Sequence, residues 1–383
     1  MERIYLDHAA TSPMHPSVIE TMINVMKEQF GNPSSIHSFG RKARLLLDQA
    51  REDIAKSIGA KPNEIIFTSG GTEADNLAIM GIADAYHHNG KHIITSVIEH
   101  HAVLHTCRVL EKKGFEVTYL PVDETGIISV HSVQEALRED TILVTIMYGN
   151  NEVGTVQPIS EIGELLKELK SQAFFHTDAV QAFGLEIIDV QELKVDLLSV
   201  SAHKFNGPKG IGFLYVKSGL NLAPRTYGGE QERKRRAGTE NVASIVGLCE
   251  AVIIAQEQRL IKREQYNDYK TILLDNLKQE NVPFFINGSL DHSLPHVLNL
   301  SFPGVSVETL LVNFDLAGIA VSSGSACTAG SIEPSHVLVA MFGKHSDQVT
   351  NSIRFSFGIT NTTEEITKVA VETAKIVKRL VNF

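Results

Sequence analysis

Tryptophan is absent from the 383 residues, aromatics make up only 7%, and there are just three cysteines. Cys107, Cys249 and Cys327 form an odd set with no Cys-x-x-Cys spacing, which argues against a disulfide framework or a zinc ribbon and fits a reducing compartment. Positive charge is also short. Thirty-five Lys and Arg against 45 Asp and Glu leave a net charge of -10, the wrong sign for a general nucleic-acid or membrane-surface binder. No apolar run is long enough to span a bilayer and no basic-then-apolar leader opens the chain, so a cytoplasmic protein is expected. The sixteen histidines include no His-Glu-x-x-His, and His101 and His105, though one helical turn apart, lack a third ligand nearby in sequence. No intrinsic metal is expected.

At 43% apolar residues the chain has the composition of a globular protein, and its length suits two domains. From about residue 64 to 177, short β-type runs (64–68, 92–96, 116–120, 142–148, 174–177) alternate with helix-period stretches (73–88, 102–113, 133–138, 159–170). That alternation predicts an α/β protein with a mainly parallel sheet covered by helices, and ligands at the carboxyl ends of the strands. The character changes after about Lys262: a charged helix over 263–279 precedes a strand over 296–302, a helix over 307–316, a strand over 353–357 and a closing helix over 364–381. We therefore expect a large domain over 15–262 and a smaller α/β domain from 1–14 and 263–383.

Polar clusters follow the predicted strands. Phe67-Thr68-Ser69-Gly70-Gly71-Thr72 puts two glycines where a strand passes into a helix, suited to a phosphate but matching neither nucleotide-binding glycine pattern. Glu99-His100 and Asn150-Asn151 follow two further strands; each alone reads as a cap or turn. Asp178 closes another, as a helix N-cap or as the carboxylate that holds a protonated pyridine nitrogen such as that of pyridoxal 5'-phosphate (PLP), with Gln181 placed to meet the ring oxygen. Ser199 to Gly210 contains Lys204 in a turn between two β-type runs, where burial can keep an amine neutral enough for Schiff-base chemistry. Cys107 and Cys249 fall in helical stretches and read as small buried hydrophobes; Cys327 lies in a run of small residues expected to be exposed and mobile, where a thiolate is free to attack.

The stretches Leu6 to Thr11, Phe67 to Asn76, Glu99-His100, Asn150 to Gly154, His176 to Gln181, His203-Lys204, Gly228 to Glu232, Arg236 to Asn241 and Ser322 to Cys327 together resemble cysteine desulfurases of the NifS/IscS type, PLP-dependent members of the class V aminotransferases. The resemblance implies the aspartate-aminotransferase-like fold type I. It implies that Lys204 forms the Schiff base with PLP, that Asp178 pairs with the ring nitrogen, that Gln181 contacts the ring oxygen and that His100 stacks on the ring. Gly71, Thr72, Ser201 and His203 are implied to hold the phosphate, and Thr239 to reach the phosphate of a partner subunit, making the protein a homodimer. Asn151, also a cofactor contact, and Arg354 are implied to bind the substrate carboxylate. Cys327 is implied to take sulfur from L-cysteine as a persulfide, to pass it to an iron–sulfur scaffold or a tRNA-thiolating enzyme, and to be able to ligate a cluster transiently. Ala202 departs from the family, where glycine often precedes His-Lys; its methyl is expected to crowd the phosphate side. A rival is another reaction on the same scaffold, such as selenocysteine lyase or sulfinate desulfination; a silent scaffold protein would lack Lys204, Asp178 or Cys327, and all three are present.

Overall fold

The computed structural model describes residues 3–324, 327–328, 331–332 and 334–381, with only the backbone at 327–328 and 331–332. A two-residue strand, β1 (Ile4–Tyr5), precedes helices α1 (Pro16–Glu28) and α2 (Ser38–Ser57). The alternating region then gives β2 (Ile65–Thr68), α3 (Gly71–Tyr86), β3 (His92–Ser96), α4 (His101–Lys112), β4 (Glu116–Leu120), α5 (Val130–Ala136), β5 (Thr141–Thr145), α6 (Ile159–Glu168) and β6 (Phe174–Asp178), followed by β7 (Leu197–Ser201) and β8 (Gly212–Val216). These strands form one sheet in the order β2-β8-β7-β6-β5-β3-β4. Only β8 runs against its neighbours. Every residue of β2, β3, β5, β7 and β8 is buried. That is why they show no apolar–polar alternation: a parallel sheet covered on both faces has no solvent side to alternate with. One face packs on α2, α6 and the start of α7 (Val242–Gln279) through Leu47, Ile54, Ile162, Leu248 and Val252; the other packs on α3 and α4 through Leu77, Ile82, Val103 and Leu110.

Helix α7 is a single 38-residue element. Residues 262–263, where composition suggests a boundary, lie inside it. Ile245 to Ala255 belong to the core of the large sheet, whereas Tyr266 to Leu277 belong to a second core. That core joins a three-stranded antiparallel sheet, β9 (Phe285–Asn287), β10 (Val297–Ser301) and β14 (Ser352–Ser356) in the order β14-β10-β9, to α8 (Val307–Leu316) and α10 (Thr363–Val381), and it takes in Ile4 and Leu6. The apolar stripe of α10, Ile366, Val369, Ala370, Ala374 and Val377, has the helical period that makes this face legible. Strand β1 pairs in parallel with β11 (Ile319–Ala320), and the chain then crosses toward the large sheet, where Ser12 N donates to His203 O at 2.9 Å. β12 (Cys327–Thr328) and β13 (Ser331–Ile332) pair antiparallel, and α9 (His336–Phe342) follows. Neither β9 nor α9 was expected; at three and seven residues they are too short to show a period.

Candidate active site

The turns after β2, β3, β5, β6 and β7 meet at one end of the large sheet, as expected for the carboxyl ends of parallel strands. They enclose a cavity of about 390 Å³ lined by Gly71, Thr72, His100, Asn151, Asp178, Gln181, Ser201, His203 and Lys204. Arg354 enters it from the second sheet. Of the residues singled out from the sequence, Thr239 lies apart: it is exposed and does not line this cavity. Its segment is nonetheless anchored, since Arg236 binds Glu73 in the first turn of α3 at 2.8 Å and Arg51 grips Glu232 through two bonds of 2.6 and 2.8 Å. Cys327 pairs with Ile332 through its backbone; its side chain lies outside the described residues.

Lys204 ends a short turn that follows β7 directly, which removes it from the strand ladder and sends its side chain under the N-terminal segment. Nζ donates to Ala9 O at 2.7 Å and Ala10 O at 2.8 Å. Burial, followed by the charge of Arg354, lowers its pKa to about 8, against the opposing pull of Asp178 and Asp7. Asp178 accepts from Val180 N at 2.9 Å, yet no helix starts there, so its capping role is confined to a turn. Burial raises its pKa to about 6, with the Val180 N–H and Lys204 opposing. A carboxyl in that state gains most from a cationic partner. His100 does two jobs: it caps α4, its Nδ1 accepting from Ala102 N at 3.1 Å, and its ring lines the cavity. His100 keeps solvent exposure as a residue, yet desolvation of its ring and then Lys204 lower its pKa to about 4, which favours the neutral imidazole.

The first turn of α3 has no side-chain cap; its N-cap is Gly70, at φ +147. A Cβ on Gly71 would stand 2.8 Å from Val180 Cγ2. Uncapped N–H groups at the positive end of a helix, beside Ser201 and His203, form an anion cradle that only glycine leaves open. Ala202 does not intrude on it. The expected crowding is corrected: Ala202 is wholly buried in the core and its methyl faces Gly207, away from the cavity.

Arg354 sits mid-strand in β14, nearly fully buried. Its anionic partner is Asp7, at 2.7 Å from Nη2, while Nη1 donates to Asn151 O at 2.7 Å; Nε is buried with no partner among the described residues. Sequence reasoning missed Asp7, and it missed His336, which brings its ring 4.8 Å from that of His101, itself 5.0 Å from His105. The described residues contain no group of three that could hold a metal ion. It also missed Glu152, buried beside the cavity and accepting from Ser335 Oγ at 2.5 Å, and Asp75, whose carboxyl is pushed well up by burial and by Asp178. No motif spacing marks these four; only the fold brings them in. Cys107 and Cys249 are buried as expected, and burial pushes both thiols up to about 12.

The model of the family described as aminotransferase class-V matches residues 4–369. The chain belongs to that family. It is 65% identical over 380 residues, 99% of this chain and all of the relative, to a protein from Bacillus subtilis strain 168 named putative cysteine desulfurase IscS 1. It is 48% identical over 377 residues to a cysteine desulfurase IscS of Dictyoglomus turgidum, covering 98% and 95% of the two chains. A solved structure titled NifS-like protein superposes with a TM-score of 0.92 at 37% identity, over 99% of this chain and 100% of the other. Another, titled SspA in complex with cysteine, gives 0.81 at 40% identity over 92% and 98%. Within the family the chain stands with the NifS/IscS-like cysteine desulfurases, whose cofactor is PLP, on fold type I. The cavity fits that group, because its lining includes an open helix N-terminus suited to a phosphate, a buried carboxyl suited to a cationic ring nitrogen and a lysine of lowered pKa.

Proposed function

We propose that this protein takes sulfur from L-cysteine, releases L-alanine and carries the sulfane sulfur as a persulfide on Cys327. One observation carries the reading: Lys204, Asp178, His100, the open end of α3 and Arg354 line a single cavity, together with Ser322 and Gly324, which lead into the segment of Cys327. Three residues of chain span at most about 10 Å, so Cys327 is tethered close to the cavity whatever its conformation.

PLP supplies the covalent anchor for the substrate amine and the sink for the electrons of its Cα–H bond. The chain does the rest. Gly71, Thr72, Ser201 and His203 would hold the cofactor's phosphate, and Asp178, Gln181 and His100 would meet its ring nitrogen, ring oxygen and ring plane. Arg354 and Asn151 hold the substrate carboxylate. Lys204, with a pKa near 8, is neutral often enough to take the proton from Cα and return it. The Cys327 thiolate supplies the electron pair of the new S–S bond; the pair of the broken C–S bond stays with Cβ, which takes a proton to become the methyl of alanine. No outside oxidant enters. Delivery then requires an acceptor thiol, on an iron–sulfur scaffold or a tRNA-thiolating protein.

Exposed Thr239 is read as completing the phosphate site of a second copy, which makes the working unit a homodimer. No helix among the described residues is long and apolar enough to cross a membrane. The test is alanine formation from L-cysteine: the purified protein forms it, and Cys327→Ser, with its PLP absorbance intact, does not. Wild-type alanine production by Cys327→Ser contradicts the role of the thiol.

A further inference from the structure

Gln181 is held at both ends of its amide. Nε2 donates to Ala9 O at 2.9 Å, and Oε1 lies 3.1 Å from His296 Nε2. A backbone carbonyl only accepts, so the Ala9 contact fixes which end of the amide is the NH2. Oε1 must then accept from an Nε2–H on His296, which fixes the tautomer of the imidazole. Ala9 O is shared, since Lys204 Nζ also donates to it at 2.7 Å. A continuous chain of contacts therefore runs from His296 through Gln181 and Ala9 to Lys204. His296 does not line the cavity; it stands behind it, on a chamber of about 30 Å³ that Lys204 and Lys262 also line. His296 is 6% exposed, and its Nδ1 has no partner among the described residues.

We propose that His296 is a positioning residue for the cofactor: by donating to Gln181 Oε1 it keeps the Gln181 NH2 turned to the ring's phenolic oxygen. The proposal rests on reading Gln181 as the ring-oxygen contact. With the amide inverted, oxygen would face oxygen and the negative form of the phenol would lose its donor. The charged and titratable groups around His296 are Lys270 of α7, His8 of the N-terminal segment, Arg354 of β14 and Lys204, with Lys262 and Tyr266 of α7 on the same chamber. None is anionic, and burial keeps the imidazole neutral. His296 thus acts as a fixed donor and not as a proton carrier.

The experiment is a pH titration of the visible absorbance of the PLP-loaded protein without substrate, paired with the PLP dissociation constant of the apoprotein. Gln181→Leu is expected to raise the spectral midpoint by roughly half a unit or more. His296→Leu moves it in the same direction and weakens PLP binding about fivefold, the loss of roughly one hydrogen bond. The double variant goes no further than Gln181→Leu alone, and His296→Gln, which restores an N–H donor, returns toward wild type. A wild-type titration for His296→Leu beside a shifted Gln181→Leu overturns the proposal while leaving the site reading intact. An unmoved Gln181→Leu removes the ring-oxygen reading and the proposal with it. Independently of folding in any variant, 15N NMR of the wild-type imidazole must show Nε2 protonated and Nδ1 bare; the opposite tautomer overturns it.

Discussion

The two sheets contribute to the site in different ways. The seven-stranded sheet brings its ionisable cavity groups in at the strand ends: Asp178 is the last residue of β6, Lys204 lies three residues beyond β7, and His100 is the N-cap of the helix after β3, while mid-strand His176 of β6 is buried and neutral. The three-stranded sheet places its contribution in the middle of a strand, where Arg354 lies between Ile353 and Phe355, both wholly buried. A doubly covered parallel sheet cannot hold a charge mid-strand without desolvating it, so its chemistry moves into the turns. The smaller sheet can, because the N-terminal segment brings Asp7 against one of its faces. The groups proposed to hold the cofactor belong to the first arrangement, and Arg354, proposed with Asn151 of the first to hold the substrate, belongs to the second, so damage to the cofactor groups and to Arg354 is expected to show in different observables.

Lys204→Ala is the largest test. It removes the amine proposed both to anchor PLP and to move the Cα proton, so turnover is expected to vanish and the visible absorbance with it; a variant that keeps either contradicts the account. Arg354→Ala acts on the other side. With a charged hydrogen bond worth about 1.5–3 kcal/mol, KM for L-cysteine should rise roughly 10- to 100-fold while the PLP absorbance stays. If that absorbance is lost instead, the separation between the two sheets fails. A smaller effect concerns pH: recombination of apoprotein with PLP, followed by absorbance, should accelerate as pH rises through about 8, where Lys204 loses its proton.

The smallest expected effect is on stability, at Glu99 in the large sheet's site. Glu99 accepts from Ser96 Oγ at 2.7 Å and Met147 N at 2.9 Å through one oxygen, while the other is buried with no partner among the described residues. Burial raises its pKa to about 8. Between the ordinary carboxyl range and pH 8 the folded protein holds a proton that the unfolded chain has released, so this group's contribution to stability falls as pH rises through that window. Glu99→Gln, which cannot ionise, should flatten that part of the thermal-unfolding profile; an unchanged slope places the proton elsewhere.

The same contrast explains what was legible. Strand-end groups stand beside glycines and caps in sequence, so Gly71, His100, Asp178 and Lys204 could be placed before any coordinates. Asp7 and Arg354 are 347 residues apart, and only the pairing of β1 with β11 and the bridge from Asp7 to Ser356 bring them together. His336, Glu152 and Asp75 were missed for the same reason: each reads locally as a cap, a turn residue or a helix charge. Helix α7 misled in the opposite direction. Its buried face changes partners near residue 262, and the charged residues that follow read as an interruption although the backbone continues.

The most direct test of the assembled site is mass spectrometry of the PLP-loaded protein after a single turnover of L-cysteine. The account predicts one added sulfur on the peptide that contains Cys327, matched by one alanine, with Cys107 and Cys249 unmodified. Alanine formed with no sulfur on Cys327, or sulfur on either buried thiol, would contradict it.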